Sequence, residues 1–244
     1  MTMKQRQTQY QVKVLNELYF DVLKWASVFT KEEEEEGNIW ANCYEECCVE
    51  LGEALEKINT VRVGEGRGED LVELADALGD SFVVLSQAVN YYFPEYDPKK
   101  DEVLQKNMSD VCPEYRDFHA MAKEVIEARD GSEVLMLFHM LILLYNRVPW
   151  PMQFVVEDIM ESNWSKFPRY NDLLKEYDSD SEKEVVAQAC FEIFKKDFSS
   201  PVQASYNPDF GLYVFRKDDG QGKIMKWKGY QPPVLDYVAE YYNV

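Results

Sequence analysis

Apolar residues recur three and four positions apart through most of this chain. In 10–30, YQVKVLNELYFDVLKWASVFT, the spacing of Val14, Leu18, Val22 and Trp25 predicts an amphipathic helix, with Leu15, Phe20 and Leu23 widening its face. A second helix is expected to run to about Lys57, its apolar side made by Cys47, Leu51, Ala54 and Ile58. A third is expected from about Glu69 to Tyr92, stopping before Pro94. Its run ALGDSFVVL is apolar on nearly every side, which predicts a helix buried all round. Further helices are expected over about 114–130, 132–146, 152–167 and 181–197, with Asp130-Gly131 as a turn and Pro149 and Pro151 as breaks. Near the C-terminus the period changes. GLYVFRKDDGQGKIMKWKG (211–229) alternates in short runs around DDGQG and predicts a β-hairpin, with a short helix after Pro233. The expected class is mainly α with one small C-terminal hairpin.

Charge narrows the partners. The 244 residues include 26 basic and 45 acidic side chains, a formal net charge of −19. That balance argues against a general nucleic-acid or anionic-membrane surface, either of which needs a basic field. The most apolar run, VLMLFHMLILLY (134–145), is shorter than the roughly 20 residues that span a bilayer and reads as a buried helix. MTMKQRQTQYQ is polar and lacks the apolar segment of a secretory signal, so a cytoplasmic location is expected. Five cysteines, an odd number, then favour reduced thiols. Cys43 and Cys47 lie one turn apart, but without a CxxC pair, and with only His119 and His139 in the chain, small core residues fit better than a zinc site. His139, inside the most apolar run, reads as a satisfied core histidine.

The carboxylates of 46–85 carry the candidate chemistry. At about 100° per residue, Glu46, Glu50 and Glu53 project within an arc of about 60°, and so do Glu73, Asp76 and Asp80 on the next helix. A bare carboxylate in an apolar helix is costly, and several facing one another are worse. A divalent cation between the two helices resolves the conflict, and oxygen-only ligands suit Mg²⁺ or Mn²⁺. The glycine-containing loop between them, GEGRGED (64–70), lacks the lysine and the preceding strand of a phosphate-binding P-loop.

The pattern Glu50-Leu-Gly-Glu53 followed by Glu73-Leu-Ala-Asp76 resembles the ExxE…ExxD signature of the all-α nucleoside triphosphate pyrophosphohydrolases, the superfamily of MazG, phosphoribosyl-ATP pyrophosphohydrolase and the dimeric dUTPases. SNWSKF (162–167) resembles the SNMSKF-type motif of phage and bacterial MazG-like proteins, and KIMKWKGYQPP (223–233) resembles the tail that follows it there. The resemblance covers about 10–93, 152–170 and 211–235. It implies a single MazG-like helical bundle over 1–244, with insertions at about 95–150 and 171–210. The second motif aligns in two ways: Glu73 and Asp76 fit ExxD literally, whereas Asp80 matches the aspartate that precedes the apolar stretch in many relatives, with Ala77 in place of the family glutamate. Trp164 stands where the family has methionine, and Trp227 lies in a tail that differs from the family's Gly-Pro-Asn.

The resemblance implies a Mg²⁺-dependent (or Mn²⁺-dependent) hydrolysis of a nucleoside triphosphate, most simply a (d)NTP, to the monophosphate and pyrophosphate. It implies Glu50, Glu53, Asp76 and Asp80 as metal ligands, and Glu46 as the residue that orients or deprotonates the water. Glu73 is the other candidate base or ligand. By the same analogy Asn163 and Lys166 meet the distal phosphates or the sugar. Arg169 and Lys228 are further candidates for phosphate neutralisation, while Lys226 reads as a surface cation. A homodimer completing the bundle is also implied. Two other readings compete: a nucleotide-sensing or partner-binding protein that keeps the fold without turnover, and a helical structural protein whose acidic faces are only solvated.

Overall fold

The computed structural model describes residues 16–29, 36–60, 67–102, 104, 114–177, 179, 181–197, 200–218 and 223–240. Over these residues the chain is mainly helical, with one two-stranded antiparallel sheet, as the periodicity predicts. Helix α1 covers 16–26. Helix α2 (Glu36–Tyr44) passes through a π-helical turn (Glu45–Glu50) into α3 (Leu51–Thr60). Then come α4 (Arg67–Tyr92), α5 (Tyr115–Ala128), α6 (Val134–Leu144), α7 (Met152–Ser165), α8 (Tyr170–Glu176) and α9 (Glu182–Asp197). Strands β1 (Val202–Asn207) and β2 (Leu212–Lys217) precede a last helical turn, α10 (Tyr237–Glu240). Most of the glutamate run 31–37, the loop residues 61–66 and Cys112 lie outside the described residues.

The chain forms two compact units. The first comprises Met1–Leu23, Glu34–Ile159 and Val234–Val244; the second comprises Lys24–Glu33 and Met160–Pro233. The stretch 95–150 supplies α5 and α6 to the first, and 171–210 supplies most of α8, with α9 and β1, to the second.

Helix α4 is the axis of the first unit. Helices α2, α3, α6 and α10 and the π turn all pack on it. In its run Ala77–Leu85 every residue but Asp80 is buried, so the stretch that is apolar on nearly every side is enclosed on nearly every side. A β-carbon at Gly79 would collide with the Ile159 side chain, so the glycine is what admits α7 at that point. The Tyr145 hydroxyl donates to the Leu78 carbonyl at 2.9 Å. Helix α6 contributes Leu137, Phe138, Leu141 and Leu144, all fully buried. The run that is too short for a bilayer is thus a core helix, and among the described residues no helix is long and apolar enough to cross a membrane.

The second unit is built on the hairpin. Helix α9 packs on β1 and on α8, and Leu173, Tyr177, Val185, Ala189, Ile193, Tyr213, Phe215 and Trp227 form its core. The register pairs Val202 with Lys217 and Asn207 with Leu212. This differs from the sequence expectation. The strand at 212–217 forms, but its long partner is the preceding segment Val202–Asn207. Among the described residues its other edge carries the isolated bridge of Arg216 with Ile224, where the Lys217 N–H donates to the Lys223 carbonyl at 3.0 Å and the Met225 N–H to the Phe215 carbonyl at 2.8 Å. The turn expected at DDGQG falls mostly outside the described residues. Leu212 to Phe215 are buried consecutively, so β2 is the inner strand, covered on both faces, and its backbone pairs with β1 on one edge and with the Ile224 segment on the other.

Candidate metal centre

The π turn decides which carboxylates meet. In an α-helix Glu46, Glu50 and Glu53 share one face. A π turn holds one extra residue, which sets everything downstream back by roughly 100°. The Leu51 N–H accordingly bonds the Glu46 carbonyl, five residues back. Glu46 and Glu50, both inside the turn, stay together with Asp80 of α4: one carboxylate oxygen from each lies within 4.8 Å of the others. Glu53, beyond the turn, is exposed and outside this group.

The group crowds like charges around Glu46. Glu46 is partly buried, and its Oε2 is fully enclosed without a hydrogen-bond partner. Burial, then the nearby charges of Asp80 and Glu50, push its carboxyl up from 4.5 to about 9. At neutral pH Glu46 therefore carries a proton that an ordinary glutamate has lost. The donors are carboxylate oxygens alone, which fit a hard divalent cation such as Mg²⁺ or Mn²⁺. The neighbouring thiols do not compete. Cys43 and Cys47 are fully buried, and that burial raises both well above the ordinary thiol value, so neither offers a thiolate. The four described cysteines, Cys43, Cys47, Cys48 and Cys190, are all unpaired.

Of the second motif, Asp80 joins the group. Glu73 is instead paired with Lys57 at 2.6 Å on the exposed ends of α3 and α4. Asp76 is partly buried one turn from Asp80 and is not among the three grouped carboxylates.

The substrate candidates belong to the second unit. Lys166 Nζ donates to Asn163 Oδ1 at 2.5 Å and lies 5.9 Å from the centre of the Trp25 ring. Arg169 stands at the start of α8, where its backbone N–H is bonded by Asp172 at 3.1 Å. Lys228 pairs with Glu176 at 3.0 Å. The two motifs of this unit, far apart in sequence, are bound to each other. Ser162 Oγ and the Tyr230 hydroxyl are 2.9 Å apart, Trp227 Nε1 donates to the Ser165 carbonyl at 2.7 Å, and the Gln231 N–H donates to Ser165 Oγ at 3.0 Å. Trp164, in the methionine position of the resemblance, is tilted by 46° against Phe210 with ring centres 6.4 Å apart.

One residue beside the metal candidates escaped the sequence reading. His119, on α5, sets its Nε2 2.9 Å from the Cys48 carbonyl, inside the π turn. Its only sequence signal is Gly52, a glycine in the middle of a helix, which marks a close approach. No family model, curated protein or solved structure matches the chain.

Proposed function

We propose that this chain is a Mg²⁺-dependent nucleoside triphosphate pyrophosphohydrolase that cleaves a (d)NTP to the monophosphate and pyrophosphate. One observation carries the reading: three carboxylates, Glu46, Glu50 and Asp80, converge from two helices with an enclosed, unpartnered oxygen among them. The resemblance of the paired acidic motifs, SNWSKF and KIMKWKGYQPP supports it and gives the cation its task. When bound, Mg²⁺ supplies Lewis acidity toward phosphate oxygens and offsets the charge of a triphosphate against an acidic protein. Glu50 and Asp80 would be its first ligands. Glu46, once its proton is lost to solvent as the cation offsets the local charge, would serve either as a third ligand or as the base that takes a proton from the attacking water. The contacts ascribed to Asn163, Lys166, Arg169 and Lys228, and the implied homodimer, belong to the same proposal.

A reading without turnover has its own support. Glu53 is exposed and Glu73 is tied to Lys57, which leaves the group with fewer carboxylates than the paired motif offers. One experiment separates the two. A panel of ribo- and deoxyribonucleoside triphosphates is incubated with Mg²⁺ or Mn²⁺, scoring pyrophosphate and orthophosphate separately. Pyrophosphate release that Glu50→Gln abolishes is the expected result. Nucleotide binding that persists in metal-free buffer, with no release from any triphosphate, would replace the enzyme with the binder.

A further inference from the structure

A π turn is held in place by something. It is a rare, single-turn insertion, less favourable than the α-helix on either side, and it persists where neighbouring groups reward it. Relaxing this one to α geometry would rotate Glu53 back by roughly 100° toward the face of Glu46 and Glu50 and change the set of carboxylates facing Asp80. Besides α4, on which the turn lies, α5 packs against it. His119 Nε2 lies 2.9 Å from the Cys48 carbonyl. A carbonyl only accepts, so Nε2 carries the proton and donates. The approach depends on Gly52: a β-carbon there would sit 2.9 Å from His119 Nε2 and 3.3 Å from Cε1, too close for the ring to stay. Helix α5 is fixed behind it by Phe118, Ala122, Val125 and Ile126, all buried, so the ring is carried on a rigid element.

We infer that His119 is a positioning residue: by bonding the Cys48 carbonyl through the gap left by Gly52, it selects the π turn that turns Glu46 and Glu50 toward Asp80. Its consequence for function rests on the metal reading of that group, and the test keeps the two apart. Mn²⁺ binding to the full chain is measured by electron paramagnetic resonance or calorimetry for the wild type, His119→Ala, His119→Gln and Gly52→Ala. Amide hydrogen exchange over 45–52 is followed in parallel. Glutamine can place an N–H donor where Nε2 stands, so His119→Gln retains wild-type affinity and local protection. His119→Ala and Gly52→Ala lose about 10–100-fold in Mn²⁺ affinity, the usual cost of removing a group that orients metal ligands. They also exchange faster over 45–52 than in α4. Gly52→Ala attacks the same contact from the opposite side and serves if His119→Ala fails to fold. Wild-type affinity and protection in His119→Ala would overturn the inference, as would a His119→Gln that behaves like His119→Ala. A wild type that binds no Mn²⁺ overturns the metal reading instead, and hydrogen exchange in the same variants then decides the role of His119 alone.

Discussion

Two desolvated carboxylates in the first unit, Asp101 and Glu46, have opposite fates. Asp101, with a side chain only 7% exposed, accepts from His139 Nε2 at 2.6 Å, the Tyr96 hydroxyl at 2.8 Å and the Leu104 N–H at 3.2 Å. Burial alone would raise its carboxyl, but the Tyr96 hydrogen bond and His139 outweigh that and hold it below the ordinary carboxylate range. Glu46 is also desolvated, but its neighbours are the carboxylates of Asp80, Glu50 and Glu45, and it is pushed up to about 9. Burial therefore does not set the direction of the shift; the partner does. The fold itself supplies Asp101 with donors, so its charge is spent inside the protein. Around Glu46 the fold places like charges instead, and on the metal reading a cation would offset them.

The sharpest way to break this contrast is to neutralise each carboxylate in turn. Glu46→Gln should abolish Mn²⁺ binding while the metal-free protein loses no stability at neutral pH, because the native carboxyl is already protonated there. Asp101→Asn should do the reverse. It leaves Mn²⁺ affinity unchanged and costs about 2–3 kcal/mol in urea unfolding, the usual loss when buried hydrogen bonds to a charged group are broken. Equal destabilisation by both substitutions would remove the distinction.

The contrast also marks how far the sequence could be read. Helices α4 and α6 announce themselves, since their apolar spacing runs over several turns. His139, read as a satisfied core histidine, is bonded to Asp101. The shared face of Glu46, Glu50 and Glu53 assumes an unbroken α-helix, and one inserted residue leaves the apolar spacing almost intact while moving Glu53 off that face. The adjacent buried pair Cys47 and Cys48 is the faint trace of the widened turn. Strand β1 was missed for a different reason. VQASYN buries no residue fully on either face and is a strand only because β2 offers it an edge. Helix α8 is too short for periodicity to show. Local pattern predicts elements that pack through their own apolar face; it misses those defined by a neighbour.

Protonation sharpens the comparison further. In metal-free protein the native Glu46 binds a proton between 4.5 and about 9 that the unfolded chain has released, so its contribution to stability falls as pH rises through that window. Asp101 has the opposite sign. Its native carboxyl lies below the ordinary value of 3.8, so it stabilises above that value, and the contribution is lost as pH falls through the native one. Thermal unfolding in a chelator, followed from acid to alkaline pH, should therefore show a decline on the alkaline side that Glu46→Gln flattens. It should also show an acid limb that Asp101→Asn makes shallower. A Glu46→Gln profile parallel to wild type above neutrality would mean that Glu46 is ordinarily ionised and its site already compensated.

The smallest effects are expected where the paired motif and the structure part company. Glu73 and Lys57 form an exposed pair, and pairs of that kind are screened by solvent, so Glu73→Gln should leave the unfolding midpoint unchanged. Glu53→Gln should leave Mn²⁺ affinity unchanged too, because the π turn carries Glu53 off the face of Glu46 and Glu50. Calorimetric titration of both variants beside Glu50→Gln checks this directly. If Glu53→Gln lost binding as completely as Glu50→Gln, the turn in the metal-bound protein would be α-helical, with Glu53 back on the shared face. The carboxylate group would then gain its fourth member by a movement of its own helix.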